Sequence, residues 1–123
     1  MIEKTCAILV TKPDAAPPEV SAKLEAAIRA GCCCFLSGLE YGAGLTAAEA
    51  VLRQREIRPG LTLECVIPYE EYTSVWDEPS RNRYFDILSR CDRETMLMRR
   101  FAPDCIRRQR EYLLRKSDIT IEI

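Results

Sequence analysis

The amino-acid sequence predicts an α/β fold. Short apolar segments alternate with longer segments whose apolar residues recur at helical spacing, which is typical of strands joined by helices. The apolar segments are nearly continuous, as expected for a parallel sheet that is covered on both faces. The chain of 123 residues suffices for one hydrophobic core. We therefore expect one domain, residues 1–123, folded as a Rossmann-like three-layer sandwich: a parallel five-stranded sheet of strand order 3-2-1-4-5 with helices on both faces.

The first half of the chain contains two strand–helix units. Residues 5–11, TCAILVT, form the first predicted strand, and a helix over residues 17–30 ends at Gly31. The segment CCCFLSG forms the second strand, and residues 46–57, TAAEAVLRQREI, form the second helix. The dipeptide Pro59-Gly60 then predicts a turn.

The second half continues the same alternation. Spacings of three and four residues relate Tyr84, Ile87 and Cys91, which predicts a third helix. The segments TLECVIPY, ETMLM and DITIEI have the composition of strands, and DCIRRQREYLLRKS has that of a helix. The predicted elements are residues 62–69 (strand), 80–91 (helix), 94–98 (strand), 104–117 (helix) and 118–123 (strand).

Charge and hydropathy exclude two classes of partner. Eighteen Lys and Arg residues oppose nineteen Asp and Glu residues, so the net charge of -1 gives no overall attraction to nucleic acid or an anionic membrane. No apolar segment approaches the roughly 18 residues of a membrane-spanning helix. The apolar segment near the N-terminus is also too short for a signal peptide. We therefore expect a cytoplasmic protein that does not contact a membrane.

The cysteine pattern and the absence of histidine restrict the metal sites and the catalytic mechanisms that are possible. Seven cysteines occur without a Cys-x-x-Cys pair, so neither a disulfide framework nor a zinc site is indicated. Cys32, Cys33 and Cys34 lie in the second predicted strand, where free cysteine behaves as a small apolar residue; a metal or redox role is the alternative. With no histidine, acid–base catalysis would depend on Asp, Glu, Lys, Tyr or Cys. We expect no metal and no cofactor.

The predicted sheet indicates where a ligand would bind. Ligands of parallel α/β sheets bind beyond the carboxyl ends of the strands. Here those ends are followed by residues 10–13, 37–46, 68–76 and 99–103.

The glycine-rich segment has two interpretations. Residues 42–47, GAGLTA, match the pattern G-x-G-x-x-A, whose backbone amides approach an anion at the start of a helix. The dinucleotide version needs an acidic residue at a strand end about 20 positions later, yet Glu64 falls inside the third predicted strand. The segment is also no Walker loop, because no Gly-Lys-Ser/Thr follows. The alternative is a capping box, in which Thr46 and Glu49 exchange hydrogen bonds at a helix start.

The order and content of these segments resemble a known family. The similarity rests on SGLEYGAGLTAAEAVL, LECVIPYEE, RNRYFDIL and FAPDCIRRQREYLLRKSDI, and it covers most of the chain. These motifs are similar to those of the YpsA/YoqJ-like family, part of the SLOG superfamily of Rossmann-like domains. The matching residues are Ser37, Gly38, Gly42, Ala47, Ala48, Glu49, Pro68, Glu71, Trp76, Arg83, Tyr84, Pro103, Cys105, Tyr112, Ser117 and Asp118. The superfamily includes cytokinin-activating phosphoribohydrolases, DNA-processing protein A and domains thought to sense nucleotide-derived ligands; this branch has no settled activity.

The sequence departs from the family pattern at several positions. The family's first strand usually ends in Thr-Gly-His-Arg-Pro, whereas residues 9–13 read LVTKP and keep the proline and a basic residue, Lys12. Gly44 stands where the family commonly has an aspartate, and Arg110 stands where it has an asparagine. The phosphoribohydrolases carry a Pro-Gly-Gly-x-Gly-Thr-x-x-Glu motif beyond the fifth strand, and this sequence stops at Ile123. We therefore do not expect hydrolysis by their mechanism.

The resemblance and the predicted strand ends together favour a non-catalytic module that binds a nucleotide or a nucleotide-derived ligand. The ligand would lie between residues 38–46 and 71–76, with amides and a helix dipole holding its anion and Trp76 stacking on its base. The structural alternative for Trp76 is packing in the core or against a lid. The residues expected to contact the ligand are Lys12, Ser37, Gly38, Gly42, Gly44, Thr46, Glu71 and Trp76.

The sequence leaves two other functions open. The first is a nucleotide N-glycosidase that uses Glu71 or Glu49 as acid or base, although the sequence offers no convincing second carboxylate or nucleophile. The second is binding of single-stranded nucleic acid by residues 99–116, which contain seven basic and two acidic side chains. We do not expect the second, because pairs at i and i+4, Asp104 with Arg108 and Glu111 with Arg115, are typical of a solvated helix face.

The fifth predicted strand also suggests self-association. Its segment DITIEI presents alternating isoleucines, and a bare strand edge pairs readily with another chain. We expect homo-oligomers that form through this edge.

Overall fold

The computed structural model describes residues 3–123 as an alternation of strands and helices. The strands are β1 (Lys4–Leu9), β2 (Cys32–Ser37), β3 (Thr62–Ile67), β4 (Arg93–Met96) and β5 (Ile119–Glu122). The helices are α1 (Pro17–Arg29), α2 (Ala43–Ile57), α3 (Glu78–Arg90) and α4 (Cys105–Lys116). Every strand and helix predicted from the sequence is present.

All strand pairs are parallel, and they form one five-stranded sheet of order β4-β3-β2-β1-β5. The predicted α/β class, with five parallel strands, is therefore confirmed. The position of β4 is the one difference in topology. The sequence placed this strand between β1 and β5, whereas it lies beside β3, and β5 pairs directly with β1.

Asp92 gives the physical reason for the position of β4. Its backbone N–H donates to the carbonyl of Leu63 (2.9 Å), and its carboxylate accepts from the N–H of Leu63 (2.8 Å). Arg55 of α2 donates to the same carboxylate (2.8 Å). These contacts hold the start of β4 against β3, and the alternation of strands and helices alone does not predict which edge a crossover reaches.

Helices cover both faces of the sheet, as predicted, but unequally. On one face, buried residues of α1, α2 and α3, such as Leu24, Leu52 and Ile87, pack with Phe35 of β2 in the larger apolar cluster. On the other face, α4 contributes Leu113 to a smaller cluster with residues of β1, β2 and β3. The lone helix α4 therefore lies over the middle of the sheet.

The helix boundaries have local causes. Gly31 follows α1 with φ of 103°, a conformation that favours glycine, so the predicted stop is confirmed. Helix α3 begins after Asp77, whose carboxylate accepts from the N–H of Ser80 (3.0 Å) as an N-cap. Helix α2 begins at Ala43, three residues before the predicted start. In the described part of the chain, no helix is both long and apolar enough to cross a membrane.

Candidate functional site

The four segments that follow β1, β2, β3 and β4 meet at one end of the sheet, because these strands are parallel neighbours. Gln109 of α4 joins two of the strand ends. It is buried, and its side-chain amide donates to the carbonyls of Gly38 (3.0 Å) and Val66 (2.9 Å). The segment after β4 joins them through the N–H of Glu70, which donates to the carbonyl of Arg99 (3.3 Å). A continuous rim thus runs along the carboxyl ends of these strands. It consists of residues 10–13, 37–46, 68–76 and 99–103.

The glycine-rich loop turns the chain against the end of β1. Gly42 has φ of 81° and precedes the first residue of α2. The N–H of Ala43 donates to the carbonyl of Pro13 (2.8 Å), and the N–H of Leu45 donates to the carbonyl of Glu40 (3.1 Å). Because protein carbonyls occupy these amides, fewer amides are free for an anion than the glycine pattern predicts.

The predicted capping box of Thr46 and Glu49 is absent, because α2 begins three residues earlier and Thr46 lies within it. Glu49 instead pairs with Arg83 of α3, whose Nη2 and Nε atoms donate to the two carboxylate oxygens (2.6 and 3.1 Å). Arg83 also donates to the Thr46 hydroxyl (3.4 Å). Glu49 and Thr46 therefore join α2 to α3.

Trp76 is half-buried and belongs to an aromatic cluster. Its ring makes edge contacts with the rings of Tyr41, Tyr72 and Tyr84, at centroid separations of 5.3, 5.3 and 5.6 Å. Tyr41 in turn donates its hydroxyl proton to Asp77 (2.6 Å). The arrangement favours packing as the role of Trp76, with Tyr41 as the more exposed ring of the cluster.

Two further predicted contacts lie at the loop and the first strand end. Ser37 is buried, and its hydroxyl accepts a hydrogen bond from the N–H of Leu39 (3.1 Å), which shapes the loop. Lys12 is exposed, and its ammonium lies 3.7 Å from the carboxylate of Glu19. A ligand at the strand ends would have to compete with Glu19 for Lys12.

Glu71 lines an open crevice of about 540 Å³ between the segments that follow β3 and β4. The crevice also contains aromatic and basic side chains. Its lining residues are Tyr69, Glu70, Glu71, Arg99, Arg100 and Phe101. The structure therefore separates Glu71 from Glu49, which faces Arg83 between α2 and α3.

A smaller cavity of about 140 Å³ lies between the strand ends and α4. Val10, Glu40 and Tyr72 line it from the strand side, and Gln109 and Arg110 line it from α4. The Oε1 atom of Glu40 is completely buried and has no hydrogen-bond partner among residues 3–123. Burial raises the pKa of Glu40, an effect that the backbone N–H of Glu40 and the nearby Arg110 guanidinium oppose. Burial and Glu40 together raise the pKa of Tyr72.

Glu40 and Gln109 were not predicted as site residues, although the sequence contains a sign of each. Cys105, Gln109 and Leu113 are spaced i, i+4 and i+8, and all three are buried. A glutamine within such an apolar stripe indicates a buried polar partner. Glu40 lies in the glycine-rich loop, between Gly38 and Gly44, which leave room beside it.

The outer face of α4 is a network of ion pairs. Asp104 pairs with Arg108 (2.7 Å), as predicted, and also with Arg107 (3.4 Å). Glu111 pairs with Arg107 (2.9 Å) and not with Arg115 as predicted, because Arg115 lies over the ring of Tyr112, 5.8 Å from its centroid. The charges of Arg107 and Arg108 are thus compensated by Asp104 and Glu111.

The cysteines are free thiols. Cys6, Cys32, Cys65 and Cys105 are buried, and Cys33, Cys34 and Cys91 are half-buried. The carboxylate of Glu3 and the thiols of Cys33 and Cys34 lie within 4.8 Å of one another, which is one ligand fewer than a structural zinc site uses. The expectation of a metal-free protein remains a prediction.

Comparisons with known proteins agree with the architecture. A family model described as the YspA SLOG family matches residues 18–123. The UPF0398 protein BH1768 of Halalkalibacterium halodurans is 36% identical over 86 residues, which are 68% of this chain and 46% of that protein. The UPF0398 protein YpsA of Bacillus subtilis is 30% identical over 86 residues, which are 68% of this chain and 47% of that protein. The matched part of the chain thus spans about half the length of these relatives.

Proposed function

We propose that this chain, which belongs to the YspA SLOG family, is a non-catalytic module that binds a nucleotide or a nucleotide-derived ligand at the carboxyl ends of its strands. The observation that carries the proposal is the cavity between the strand ends and α4. Glu40 and Arg110 line it with side chains of opposite charge.

The position of the cavity supports binding. Ligands of parallel α/β sheets bind beyond the carboxyl ends of strands, and this cavity adjoins the ends of β1 and β2 and the segment after β3. Gly38 and Gly42 flank Glu40 in the loop after β2, and Gly44 lies in the first turn of α2. Arg110 is exposed, so its guanidinium is available to a phosphate at the mouth of the cavity.

The positions of the carboxylate side chains favour binding over catalysis. Enzymes that cleave glycosidic bonds typically use two carboxyl groups that flank the bond. Among the described residues, Glu40 is the one carboxylate that lines this cavity. Glu49, an alternative acid or base, is held by two hydrogen bonds from Arg83, and Glu71 lines the separate crevice.

The proposal places the protein in the cytoplasm. All seven cysteines are free thiols, and disulfide-free thiols in this number are typical of a reducing compartment.

Isothermal titration calorimetry with nucleoside monophosphates, diphosphates and ADP-ribose tests the proposal. We expect dissociation constants in about the micromolar range, roughly -8 kcal/mol, and no release of free base. Arg110→Ala should weaken binding by about tenfold or more, because a charge-assisted hydrogen bond to phosphate is lost.

Arg29→Ala is the matched control, since Arg29 is exposed at the end of α1 that leads into the start of β2, opposite the carboxyl ends of the strands. Steady turnover of any nucleotide would contradict the non-catalytic part of the proposal. The absence of binding up to millimolar ligand would contradict the binding part.

A further inference from the structure

The open crevice between the segments that follow β3 and β4 has room for most of a nucleotide. Its volume is about 540 Å³, whereas the cavity beside α4 measures about 140 Å³. Small-molecule sites in proteins typically measure roughly 300–1,000 Å³. The two spaces are neighbours, because the ring of Tyr69 in the crevice contacts the ring of Tyr72 at the cavity, with 5.7 Å between their centroids. The cavity can therefore take only part of a nucleotide, and the crevice can take the larger part.

Phe101 presents an aromatic surface to this crevice. Its side chain is apolar, yet the residue is 66% exposed. The ring of Tyr69 makes an edge contact with it at a centroid separation of 5.5 Å, which orients the Phe101 ring without covering it. Nucleobases of any sequence stack on exposed aromatic rings, because every base has a π face. Phe101 is thus placed to stack on a base.

The crevice also contains charged side chains of both signs. Arg99 and Arg100 line it, both are exposed, and within residues 3–123 neither forms an ion pair. The planar guanidinium group of arginine matches the oxygens of a phosphate. Glu70 and Glu71 line the same crevice, are exposed, and form no ion pair in that part of the chain either.

This balance of charges restricts the chemistry of the ligand. A bare polyanion would be attracted by the two arginines and repelled by the two glutamates. A nucleotide whose base has an amino group suits both, because its phosphate pairs with arginine and its amino group donates to a carboxylate. Both glutamates are exposed, so neither has the apolar surroundings that make a carboxyl group a general acid. The crevice therefore suits binding of a nucleotide and not its cleavage.

We propose that this crevice is the subsite that recognises the base of a free nucleotide. Phe101 stacks on the base, Glu70 and Glu71 accept hydrogen bonds from its amino group, and Arg99 and Arg100 hold the phosphate. The inference rests on the proposed binding of a nucleotide-derived ligand and names the residues that read its base.

Calorimetry with AMP and ribose 5-phosphate tests the stacking role of Phe101. We expect AMP to bind at least about tenfold more tightly, because ribose 5-phosphate has no base to stack. Phe101→Ala should remove this advantage and leave the affinity for ribose 5-phosphate unchanged. Phe85→Ala is the matched control, since Phe85 is 58% exposed on α3 and makes an edge contact with Tyr84, but does not line the crevice.

The phosphate contact has its own pair of variants. Arg99→Ala combined with Arg100→Ala should weaken both AMP and ribose 5-phosphate by about tenfold or more, because both ligands lose charge-assisted hydrogen bonds. Arg29→Ala combined with Arg58→Ala is the control. These two arginines are exposed where α1 and α2 lead into the starts of β2 and β3, at the opposite end of the sheet.

A preference between two pyrimidines reports on the carboxylates. CMP should bind about fivefold or more tightly than UMP, because cytosine has an amino group where uracil has a carbonyl oxygen. Glu70→Ala combined with Glu71→Ala should abolish this preference. A purely structural role of the two glutamates would leave the ratio of the two affinities unchanged.

A single-stranded nucleic acid carries the same base and phosphate, so an eight-nucleotide oligoadenylate serves as a further probe. We expect its affinity per nucleotide to lie within about tenfold of that for AMP. Tight binding of a strand needs further cations along it, and Arg107 and Arg108 on the outer face of α4 are already paired with acids. Binding that is more than tenfold tighter would assign the crevice to nucleic acid and overturn the proposal.

The outcomes separate this inference from the proposed function. If the wild-type protein binds AMP but the Phe101 and arginine variants bind it equally well, the crevice is the wrong subsite while nucleotide binding stands. If ribose 5-phosphate binds as tightly as AMP, or UMP as tightly as CMP, the recognition of the base is wrong. If no nucleotide binds the wild-type protein, the proposed function itself fails.

Discussion

Single residues decide how the loop after β2 is built, and Gly42 is the clearest case. Its positive φ of 81° favours glycine, and a Cβ atom there would lie 2.4 Å from the carbonyl oxygen of Pro13. That carbonyl also accepts the hydrogen bond from Ala43 that holds the loop against the end of β1. The glycine pattern of this segment thus has a structural cause that is independent of any phosphate.

Gly42→Val should therefore lower the free energy of unfolding by about 2 kcal/mol or more. A left-handed conformation costs a side chain about 1–2 kcal/mol, and the clash with Pro13 adds to this cost. Urea denaturation followed by circular dichroism measures the change. Gly60→Ala is the control, because no atom lies within 4 Å of its added Cβ, and we expect a change within about 0.5 kcal/mol. Equal stability of the two variants would contradict this account of the loop.

At the scale of elements, local sequence patterns predict the strands and helices but not the order of the strands in the sheet. The alternation of apolar strands with amphipathic helices is visible in the sequence, so the class and the parallel sheet could be predicted. The position of β4 could not, because it depends on contacts of Asp92 with Leu63 and Arg55 across elements. The predicted start of α2 lies three residues too late, because Thr46 and Glu49 match a capping box while the chain uses Gly42 as the N-cap.

For the candidate site, too, the sequence predicts the segments but not the individual residues. The rule on strand ends selected segments that lie together at one end of the sheet, yet it could not single out Glu40 or Gln109. Their importance depends on burial, and burial is decided by how α4 crosses the sheet. Arg110 stood out in the sequence as a departure from the family pattern, and the structure places it at the cavity of Glu40.

Helices α2 and α3 are coupled through Glu49 and Arg83, which gives a prediction at the same scale. The pair is bidentate and partly shielded, with the two side chains 27% and 40% exposed. In a double-mutant cycle of Glu49→Gln and Arg83→Gln, we expect a coupling of up to about 1 kcal/mol in the free energy of unfolding. The matching cycle of Arg107→Gln and Glu111→Gln, a more exposed pair within α4, should give a smaller value. Additive effects at Glu49 and Arg83 would show that the pair does not join the helices.

At the scale of the whole molecule, the layers are asymmetric and the sheet has an open edge. Three helices cover one face and α4 covers the other. Strand β5 pairs with β1 on one side and has no second neighbour in the described sheet. Beside this edge, a groove of about 420 Å³ runs along α1, lined in part by Ala26, Ala27 and Ile121. Lys23 shields part of the edge, since its ammonium donates to the carbonyl of Glu122 (2.6 Å).

We predict that the 123-residue chain self-associates through β5, because unpaired N–H and C=O groups on a strand edge pair readily with a second strand. Light scattering coupled to size exclusion should show a mass that rises with concentration. Thr120→Lys should shift the protein toward the monomer, because Thr120 is exposed on β5 and two lysines would face each other across the new contact. Ser74→Lys adds the same charge at an exposed loop position and should leave the mass unchanged. A strict monomer at high concentration would contradict the prediction. Equal effects of the two lysine variants would attribute self-association to net charge and not to the β5 edge.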